Sequence, residues 1–256
     1  MPKLQGKNAL VTGADSGIGQ AIAITFGREG ANVVVHYGND EQGAQQTATQ
    51  IQQAGGQAQV LQADLADPAN AQQLYEQAKQ AFGPINVLVN CAGTGEAAED
   101  PLQLPVDDFQ RVLNIDLVSP WVLAQAAIRD MTNTGGGSIV NVTSVHEEIP
   151  SSSAAYCAAK GGLRMVTRCF AQTFASQGVR INNLAPGMIA TPMTRESLED
   201  PQSAEQSIQR IPMGRPGDPQ EMANVALFLA SEESSYVTGS SYFADGGLTQ
   251  MMGAGA

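Results

Sequence analysis

The feature that most constrains the fold is a regular alternation of short β-branched runs with longer helical stretches. Strands are predicted over residues 8–12, 32–36, 59–62, 86–90, 138–142, 179–184 and 241–244, and helices over 18–28, 40–53, 68–82, 106–131, 154–177 and 219–230. The run 86–90 is too apolar to alternate, as a strand covered on both faces requires. This order predicts right-handed βαβ units in an α/β fold: a single Rossmann-like, doubly wound domain with a mostly seven-stranded parallel sheet flanked by helices.

Composition agrees with one globular domain over residues 1–256, since 43% of the residues are apolar and 15% are charged. The chain has no apolar run of about 18 residues and no signal core at its start, so we expect no membrane span. A net charge of −12 disfavours nucleic acid and anionic membrane surfaces as partners. The spacing of Cys91, Cys157 and Cys169 fits free thiols in a reducing cytoplasm, and the two histidines are too isolated for a metal site.

A glycine-rich turn joins the first predicted strand to the first predicted helix, with the sequence Thr-Gly-Ala-Asp-Ser-Gly-Ile-Gly over residues 12–19. Its glycines allow a tight turn and a close approach of the backbone to a pyrophosphate at the helix N-terminus. The spacing is G-x-x-x-G-x-G rather than G-x-G-x-x-G. The position between strand and helix is therefore what favours a dinucleotide site over an ordinary turn.

Tyr156 and Lys160 are four residues apart in a predicted helix, so their side chains lie on one face. An ammonium in that position can stabilise a phenolate, which would make the tyrosine usable as a proton donor or acceptor. Taken alone, the pair is more typical of a solvated lysine beside a packed ring. The glycine-rich turn ahead of it favours the catalytic interpretation.

Further motifs span nearly the whole chain. They are Thr12-Gly13-x-x-x-Gly17-Ile18-Gly19, Asn90-Cys91-Ala92-Gly93, Asn114, Ser144, Tyr156-x-x-x-Lys160 and Pro186-Gly187. In this order and spacing they resemble the short-chain dehydrogenase/reductase family, and the segments 143–147 and 243–247 resemble its glucose 1-dehydrogenase branch. Pro212-Met213-Gly214 also occurs in ketone and oxoacyl-carrier reductases. The resemblance implies an NAD(P)-dependent enzyme that moves hydride between a nicotinamide and an alcohol or carbonyl carbon.

The resemblance also implies four catalytic residues. Tyr156 is the expected acid/base, and Lys160 is expected to stabilise its phenolate and to bind the nicotinamide ribose. Ser144 is expected to hold the substrate oxygen, and Asn114 to place a water through which the proton leaves. The interval from Ser144 to Tyr156 is one residue shorter than usual, so Thr143 stands at the usual offset. Neighbours on a strand face opposite sides, so only one hydroxyl can serve, and we expect Ser144.

The cofactor contacts follow from the same resemblance. They are Gly13, Ser16, Ile18 and Gly19 at the pyrophosphate, Asp64 and Leu65 at the adenine, Asn90 and Gly93 at the adenosine ribose, and Ile189 and Thr191 at the nicotinamide, together with Tyr156 and Lys160. Without the motif, Asp64 is equally well explained as a helix N-cap before Pro68.

The cofactor preference depends on the segment 36–39, His-Tyr-Gly-Asn, which follows the second predicted strand. An NAD enzyme is expected to have an acid there and an NADP enzyme a nearby arginine. The segment has neither, and Ser16 replaces a basic residue often found in the turn of NADP enzymes. We therefore expect both cofactors to be used, with NADP slightly preferred because no carboxylate repels the 2′-phosphate.

The substrate is expected to be a small alcohol, ketone or sugar, covered by the segment 188–215. Ser144, His146 and Glu96 could hydrogen-bond the hydroxyls of a sugar. So could further polar residues, namely Glu147, Thr194, Arg195, Glu196, Glu199 and Asp200. Alternatively, the charged residues form a solvated face. Arg195 and Arg210 keep open a 3-oxoacyl-carrier or general ketone reductase. A remote alternative is a non-catalytic dinucleotide-binding sensor. The family resemblance also implies a homotetramer, with the helices 106–131 and 154–177 at one interface.

Overall fold

The computed structural model describes residues 1–95 and 100–252, which contain one seven-stranded parallel sheet. The strands are β1 (Asn8–Val11), β2 (Asn32–Tyr37), β3 (Gln57–Gln62), β4 (Val87–Asn90), β5 (Gly137–Val142), β6 (Val179–Pro186) and β7 (Ser241–Ala244). Their order across the sheet is β3-β2-β1-β4-β5-β6-β7, and each neighbouring pair is parallel. The predicted doubly wound α/β fold is confirmed.

Helices cover both faces of the sheet. They are α1 (Gly17–Arg28), α2 (Glu41–Gln53), α3 (Pro68–Phe82), α4 (Val106–Leu113), α5 (Ser119–Asn133), α6 (Ala154–Phe174), α7 (Arg195–Glu199), α8 (Pro201–Gln209), α9 (Pro219–Ala230) and α10 (Leu248–Met252). Phe26, Ile51 and Leu227 place α1, α2 and α9 on one face, and Leu74 and Met131 place α3 and α5 on the other. Within the described residues, no helix has both the length and the apolar character that a membrane span needs.

Neighbouring residues of the central strands enter different cores. Val33 of β2 and Val87 of β4 belong to the core under α1 and α9, whereas Val34 and Leu88 belong to the core under α3 and α5. Because side chains alternate along a strand, a sheet covered on both faces needs apolar residues at every position. This explains why the runs of the central strands β1, β2 and β4 lack alternation.

The predicted helix 106–131 is not continuous. α4 passes into a π-helical turn, Asn114–Val118, and α5 follows it. Pro120, at the start of α5, has no N–H to donate to a carbonyl in the preceding turn, which disfavours a regular α-helix at this point. Similarly, the helix predicted to reach residue 177 ends at Phe174 and continues as a short 3₁₀ turn.

α3 and α9 have the bounds that the sequence predicts, because both begin with an aspartate followed by a proline. The carboxylate of Asp67 accepts the N–H of Ala69 at 2.9 Å, and that of Asp218 accepts the N–H of Gln220 at 2.7 Å. A proline at the first helical position has no donor to leave unsatisfied.

The order of the strands reverses between β1 and β4. From β1 the chain continues outward to β2 and β3, and from β4 it continues the other way to β5, β6 and β7. The loops after these two strands diverge and leave a crevice at their carboxyl ends, which is where ligands bind in open α/β sheets.

Candidate active site

A cavity of about 840 Å³ lies at this crevice, a size within the usual range of small-molecule sites. Its β2 end is formed by Asp15, Gly38, Asn39 and Asp40, and its tyrosine end by Ser144, His146, Tyr156 and Lys160. The glycine-rich turn lies between them. Residues from 188 to 197, part of the segment predicted to cover the substrate, line it as well.

The glycine-rich turn exposes bare backbone to the cavity. Gly13 has a φ of +61°, and a Cβ there would lie 2.8 Å from the Cα of Ala92. A Cβ on Gly19 would collide with the carbonyl of Gly13. Only glycine meets both constraints. The N-cap of α1 is Ser16, and its side chain makes no capping hydrogen bond to the first turn of the helix. The backbone N–H groups of that turn are therefore left for an anionic ligand.

His36, in β2, anchors the glycine-rich turn. Its Nδ1 accepts the N–H of Gly13 at 3.1 Å, and its Nε2 donates to the carbonyl of Ala63 at 3.1 Å. This pairing requires a neutral ring with its proton on Nε2, and burial lowers the pKa of His36 to about 4. The sequence signal for this role is weak, a single histidine inside an apolar strand.

Thr12 joins the end of β1 to the loop after β4. Its hydroxyl oxygen accepts the N–H of Cys91 at 2.9 Å and that of Ala92 at 3.0 Å. The next residue is Gly93, where a Cβ would lie 3.1 Å from Oδ2 of Asp116. Cys91 lines the cavity as a neutral thiol, because burial raises its pKa to about 12. All three cysteines are free, as predicted.

Tyr156 and Lys160 lie one turn apart on α6, and both line the cavity. The Nζ of Lys160 is 5.3 Å from the centroid of the tyrosine ring and donates to the carbonyl of Val142 at 3.2 Å. Lys160 is only 3% exposed. Its charge is therefore held in a dry position beside the phenol, where electrostatic effects are strong.

Asp116 provides the carboxylate that compensates the positive charge of Lys160. Its Oδ2 lies 3.0 Å from the Nζ of Lys160, its Oδ1 accepts the N–H of Thr94 at 2.9 Å, and the side chain is fully buried. Burial by itself disfavours the ammonium, but the Asp116 carboxylate and then Tyr156 outweigh that effect and raise the pKa of Lys160. The lysine is therefore charged.

The side chain of Asn114 bonds groups outside the Tyr156–Lys160 pair, and its role in placing a water stays a prediction. Its Nδ2 donates to the carbonyl of Ala66 at 2.9 Å, and its Oδ1 accepts from Gln110 at 3.1 Å. Helical residues two positions apart lie on different faces. The π-helical turn that directs Asp116 to Lys160 therefore directs Asn114 away. Asp116, two residues after Asn114, is the site residue that the sequence did not predict.

The hydrogen bonds of Ser144 and Thr143 differ. Ser144 Oγ accepts the N–H of His146 at 3.2 Å, which leaves its own O–H to donate to a ligand. Thr143 uses its O–H within the sheet, donating to the carbonyl of Leu184 in β6 at 3.2 Å. Both residues line the cavity, but the bonding favours Ser144 as the hydroxyl that holds a substrate oxygen.

His146 lies beside Tyr156, with the ring centroids 6.2 Å apart in an edge arrangement. Its Nδ1 bonds the carbonyl of Ile149 at 3.0 Å. Because a carbonyl only accepts, this nitrogen carries the proton, and Nε2 is an acceptor when the ring is neutral. His146 is thus able to accept a hydrogen bond from a substrate hydroxyl.

Other polar residues predicted near the substrate lie elsewhere. Glu147 is buried beside Arg164, with Oε1 3.4 Å from Nε, and is absent from the cavity lining. The charged residues of the covering segment are exposed outside the cavity, as the solvated-face alternative predicts: Arg195, Glu196, Glu199, Asp200 and Arg210. Thr194 does line the cavity. Glu96 lies outside the described residues.

Two residues predicted to contact the cofactor, Asp64 and Asn90, do not line the cavity. Asp64 is exposed, and its Oδ1 accepts the N–H of Ala66 at 2.9 Å. It does not cap α3 either, since Asp67 has that role. The carboxylate thus stabilises the turn after β3, while its neighbour Leu65 lines the cavity.

Asn90 instead begins a buried chain of hydrogen bonds that crosses the sheet. The donors and acceptors are Asn90 Nδ2 to Asn141 Oδ1 at 2.8 Å, Asn141 Nδ2 to Thr167 Oγ1 at 2.8 Å, Thr167 Oγ1 to Asn183 Oδ1 at 2.6 Å, and Asn183 Nδ2 to Ser241 Oγ at 3.0 Å. Buried amides need such partners. The side chain of Asn90 therefore joins β4 to β5 rather than contacting the cavity.

The remaining predicted cofactor residues line the cavity. They are Gly13, Ser16, Ile18, Gly19, Leu65, Gly93, Ile189 and Thr191, together with Tyr156 and Lys160. A Cβ on Gly17 would lie 3.2 Å from Cγ2 of Thr191. The segment after β6 therefore packs against the start of α1, and the cavity runs between them.

Comparison with known proteins gives matches over nearly the full length. A family model described as Enoyl-(Acyl carrier protein) reductase matches residues 13–249. Over 248 residues the chain is 40% identical to Glucose 1-dehydrogenase 2 from Bacillus subtilis (strain 168), with 96% of each chain covered. It is 39% identical over 248 residues to 3beta-hydroxysteroid dehydrogenase 1 from Eggerthella lenta, with 96% of this chain and 95% of that protein covered.

A solved structure shares the same fold. The chain superposes with a TM-score of 0.90 on a gluconate 5-dehydrogenase from Burkholderia cenocepacia J2315 in complex with NADP and tartrate. The two are 33% identical, and 97% of each chain is covered. The agreement in fold therefore extends over nearly the whole chain.

Proposed function

The chain belongs to the short-chain dehydrogenase/reductase family and is an NAD(P)-dependent oxidoreductase acting on CH–OH groups, and we propose that it oxidises a neutral sugar, as a glucose 1-dehydrogenase does. The proposal is supported by the residues that line the tyrosine end of the cavity. Hydroxyl and imidazole groups line the cavity together with Tyr156, while Lys160, whose charge Asp116 compensates, is the only lysine or arginine among the described lining residues.

The cavity fits a nicotinamide dinucleotide, because the bare backbone at Gly13 and the uncapped start of α1 suit a pyrophosphate. The residues proposed to hold it are Gly13, Ser16, Ile18 and Gly19 at the pyrophosphate, Leu65 and Gly93 along the adenosine, and Ile189 and Thr191 at the nicotinamide. When bound, such a cofactor supplies the hydride acceptor or donor. We propose that both NAD and NADP bind, which the NADP complex of the gluconate 5-dehydrogenase supports in part.

Tyr156 is the proposed acid/base. In the oxidising direction its phenolate accepts the proton of the substrate hydroxyl as the C–H bond breaks. Lys160, held by Asp116 and the carbonyl of Val142, keeps a positive charge beside that phenolate. Ser144 donates its remaining O–H to the substrate oxygen and so orients it toward Tyr156.

A sugar suits the donors and acceptors at the tyrosine end. The lining supplies hydroxyls from Ser144, Ser151, Ser153, Thr194 and Ser197, and the imidazole of His146. Hydroxyl groups both donate and accept, so they match the hydroxyls of a sugar. A substrate carboxylate would lack an uncompensated cation among the described lining residues, and an anion in that position is costly.

One alternative within the family is a 3-oxoacyl-carrier or general ketone reductase. The description of the matching family model favours it, as do the exposed Arg195 and Arg210, which an acidic carrier could contact. The net charge of −12 opposes it, because the carrier would itself be acidic. The remote alternative, a non-catalytic sensor, conflicts with the presence of Ser144, Tyr156 and Lys160.

A substrate panel tests the proposal. Neutral aldoses, gluconate and an oxoacyl thioester are assayed with NAD and NADP by nicotinamide absorbance. We expect kcat/KM for a neutral aldose to exceed that for gluconate by about 100-fold, since a buried carboxylate without a cation is disfavoured. Ser197→Arg adds a cation to the cavity lining and should lower the ratio of kcat/KM for the aldose to that for gluconate by about tenfold. Turnover of the thioester without turnover of any sugar would select the reductase alternative.

The acid/base assignment is tested by Tyr156→Phe. We expect kcat to fall by about 1,000-fold, as loss of a general acid/base does, while calorimetry shows the cofactor still bound. Tyr236, which is 103% exposed, provides the matched control, because Tyr236→Phe removes a hydroxyl that does not line the cavity. Retention of a tenth or more of the activity in Tyr156→Phe would refute the assignment.

We further propose a homotetramer with one interface on α4, α5 and α6. Val106, Trp121 and Met165 are large apolar side chains exposed on these helices. Exposed apolar groups of this size favour burial against another chain. Trp121→Glu together with Met165→Glu should produce smaller species in sedimentation velocity; a monomeric wild-type chain would contradict the proposal.

A further inference from the structure

The β2 end of the cavity contains two carboxylates and no cation among its described residues. Asp15 is half-buried in the glycine-rich turn, and Asp40 is exposed just after β2. If the pyrophosphate lies at the turn and the nicotinamide near Tyr156, as proposed above, this end receives the adenosine ribose. The inference below therefore rests on the proposed function.

Local packing brings the two carboxylates together although they are 25 residues apart in the chain (40 − 15 = 25). Asp40 Oδ1 accepts the N–H of Gly43 at 3.0 Å. A Cβ on Gly43 would collide with the carbonyl of Asp15 and lie 2.5 Å from Oδ2 of Asp40. Burial raises the pKa of Asp15, and the nearby charge of Asp40 adds to that effect. The two negative charges therefore interact.

Gly38 leaves space where a cation could stand. It lines the cavity directly after β2, and a Cβ there would have no heavy atom within 4 Å. An arginine at this position could reach a 2′-phosphate. The chain has a glycine instead, so a phosphate at this end would meet carboxylates without a compensating charge.

We propose that Asp15 and Asp40 set the cofactor preference by repelling a 2′-phosphate, so that NAD binds more tightly than NADP. A carboxylate accepts a hydrogen bond from the ribose 2′-hydroxyl of NAD, whereas it repels the phosphate that replaces this hydroxyl in NADP. This reverses the small NADP preference expected from the segment 36–39, because the acid lies in the glycine-rich turn and at the start of α2 rather than at the end of the second strand.

The test is isothermal calorimetry of NAD and NADP binding, which needs no substrate. Asp15→Asn and Asp40→Asn remove charge but keep size, and asparagine at 40 still caps α2. We expect the wild type to bind NAD at least about tenfold more tightly, and each substitution to lower the NAD/NADP affinity ratio by about threefold to tenfold. Glu41→Gln is the control, since this exposed acid next to Asp40 does not line the cavity.

Gly38→Arg provides the converse change. Added to Asp15→Asn, it should make NADP the tighter ligand, and raising the salt concentration should reduce the wild-type preference because screening weakens the repulsion. Equal or tighter binding of NADP by the wild type, or an unchanged ratio in the Asp15→Asn/Asp40→Asn double variant, would overturn the inference while leaving the proposed function intact. Failure of both dinucleotides to bind would overturn the two together.

Discussion

The two ends of the cavity hold charge in opposite ways. At the tyrosine end Lys160 is 3% exposed and its ammonium is 3.0 Å from the fully buried carboxylate of Asp116. At the β2 end Asp15 is half-buried and Asp40 is exposed. A buried pair interacts strongly and holds its geometry, so it can poise a proton donor. Carboxylates that are open to water act mainly on the charge of a ligand, so they suit discrimination between NAD and NADP.

The largest effect is expected where a buried charge loses its partner. Asp116→Leu would leave the Lys160 ammonium without its carboxylate, and the free energy of unfolding should fall by about 3–5 kcal/mol in urea titrations. Lys3→Ala, which breaks the exposed pair between Lys3 and Glu233 at 2.7 Å, should change it by less than about 1 kcal/mol. Equal losses in the two variants would remove the distinction between buried and solvated charge.

The next effect concerns the hydroxyl that holds the substrate at the tyrosine end. Ser144→Ala should lower kcat about 100-fold, which corresponds to the loss of one donor to the reacting oxygen. Thr143→Val keeps the side-chain shape and removes only a bond to the sheet, so it should lower stability by about 1 kcal/mol with little change in kcat. The reverse outcome in the steady-state assay would assign the role to Thr143.

His36 links the glycine-rich turn to the sheet near the β2 end, and its titration gives a pH-dependent stability. Its folded-state pKa of about 4 lies below the ordinary 6.5, so the unfolded state binds the proton first. The stabilisation is present above pH 6.5 and is lost as the pH falls toward 4. Between pH 7.5 and pH 5 the wild type should lose about 2 kcal/mol more than His36→Gln in urea titrations. Parallel losses would show that His36 is not buried as a neutral ring.

The smallest effect is expected for Asp116→Asn, which removes the charge of this side chain and keeps its size. Asp116→Asn removes the negative charge 3.0 Å from the Nζ of Lys160. Arg111 is the other charged group near this carboxylate, and Tyr156 and Cys91 lie near Lys160. Without this carboxylate the pKa of Lys160 should fall, so the alkaline limb of the oxidation rate should move about one pH unit lower. A fall in kcat without a shift of the limb would mean that Asp116 only supports the packing.

Much of the fold and part of the candidate site were predictable from the sequence, because their signals are local. The aspartate and proline at 67–68 and 218–219 define the starts of α3 and α9, and the glycine-rich turn must precede α1. Helical spacing alone places Tyr156 and Lys160 on one face. These features depend on residues within one or two turns of the chain, where backbone geometry has few alternatives.

The tertiary structure alone decided which side chains meet across the sheet. It directs Asp116 rather than Asn114 to Lys160 through a π-helical turn, and it uses Asn90 to join β4 to β5. It also brings Asp15 beside Asp40. The physical reason is that these contacts join residues far apart in the chain, so packing of strands and helices, rather than local spacing, determines which carboxylate is buried with a partner and which remains in water.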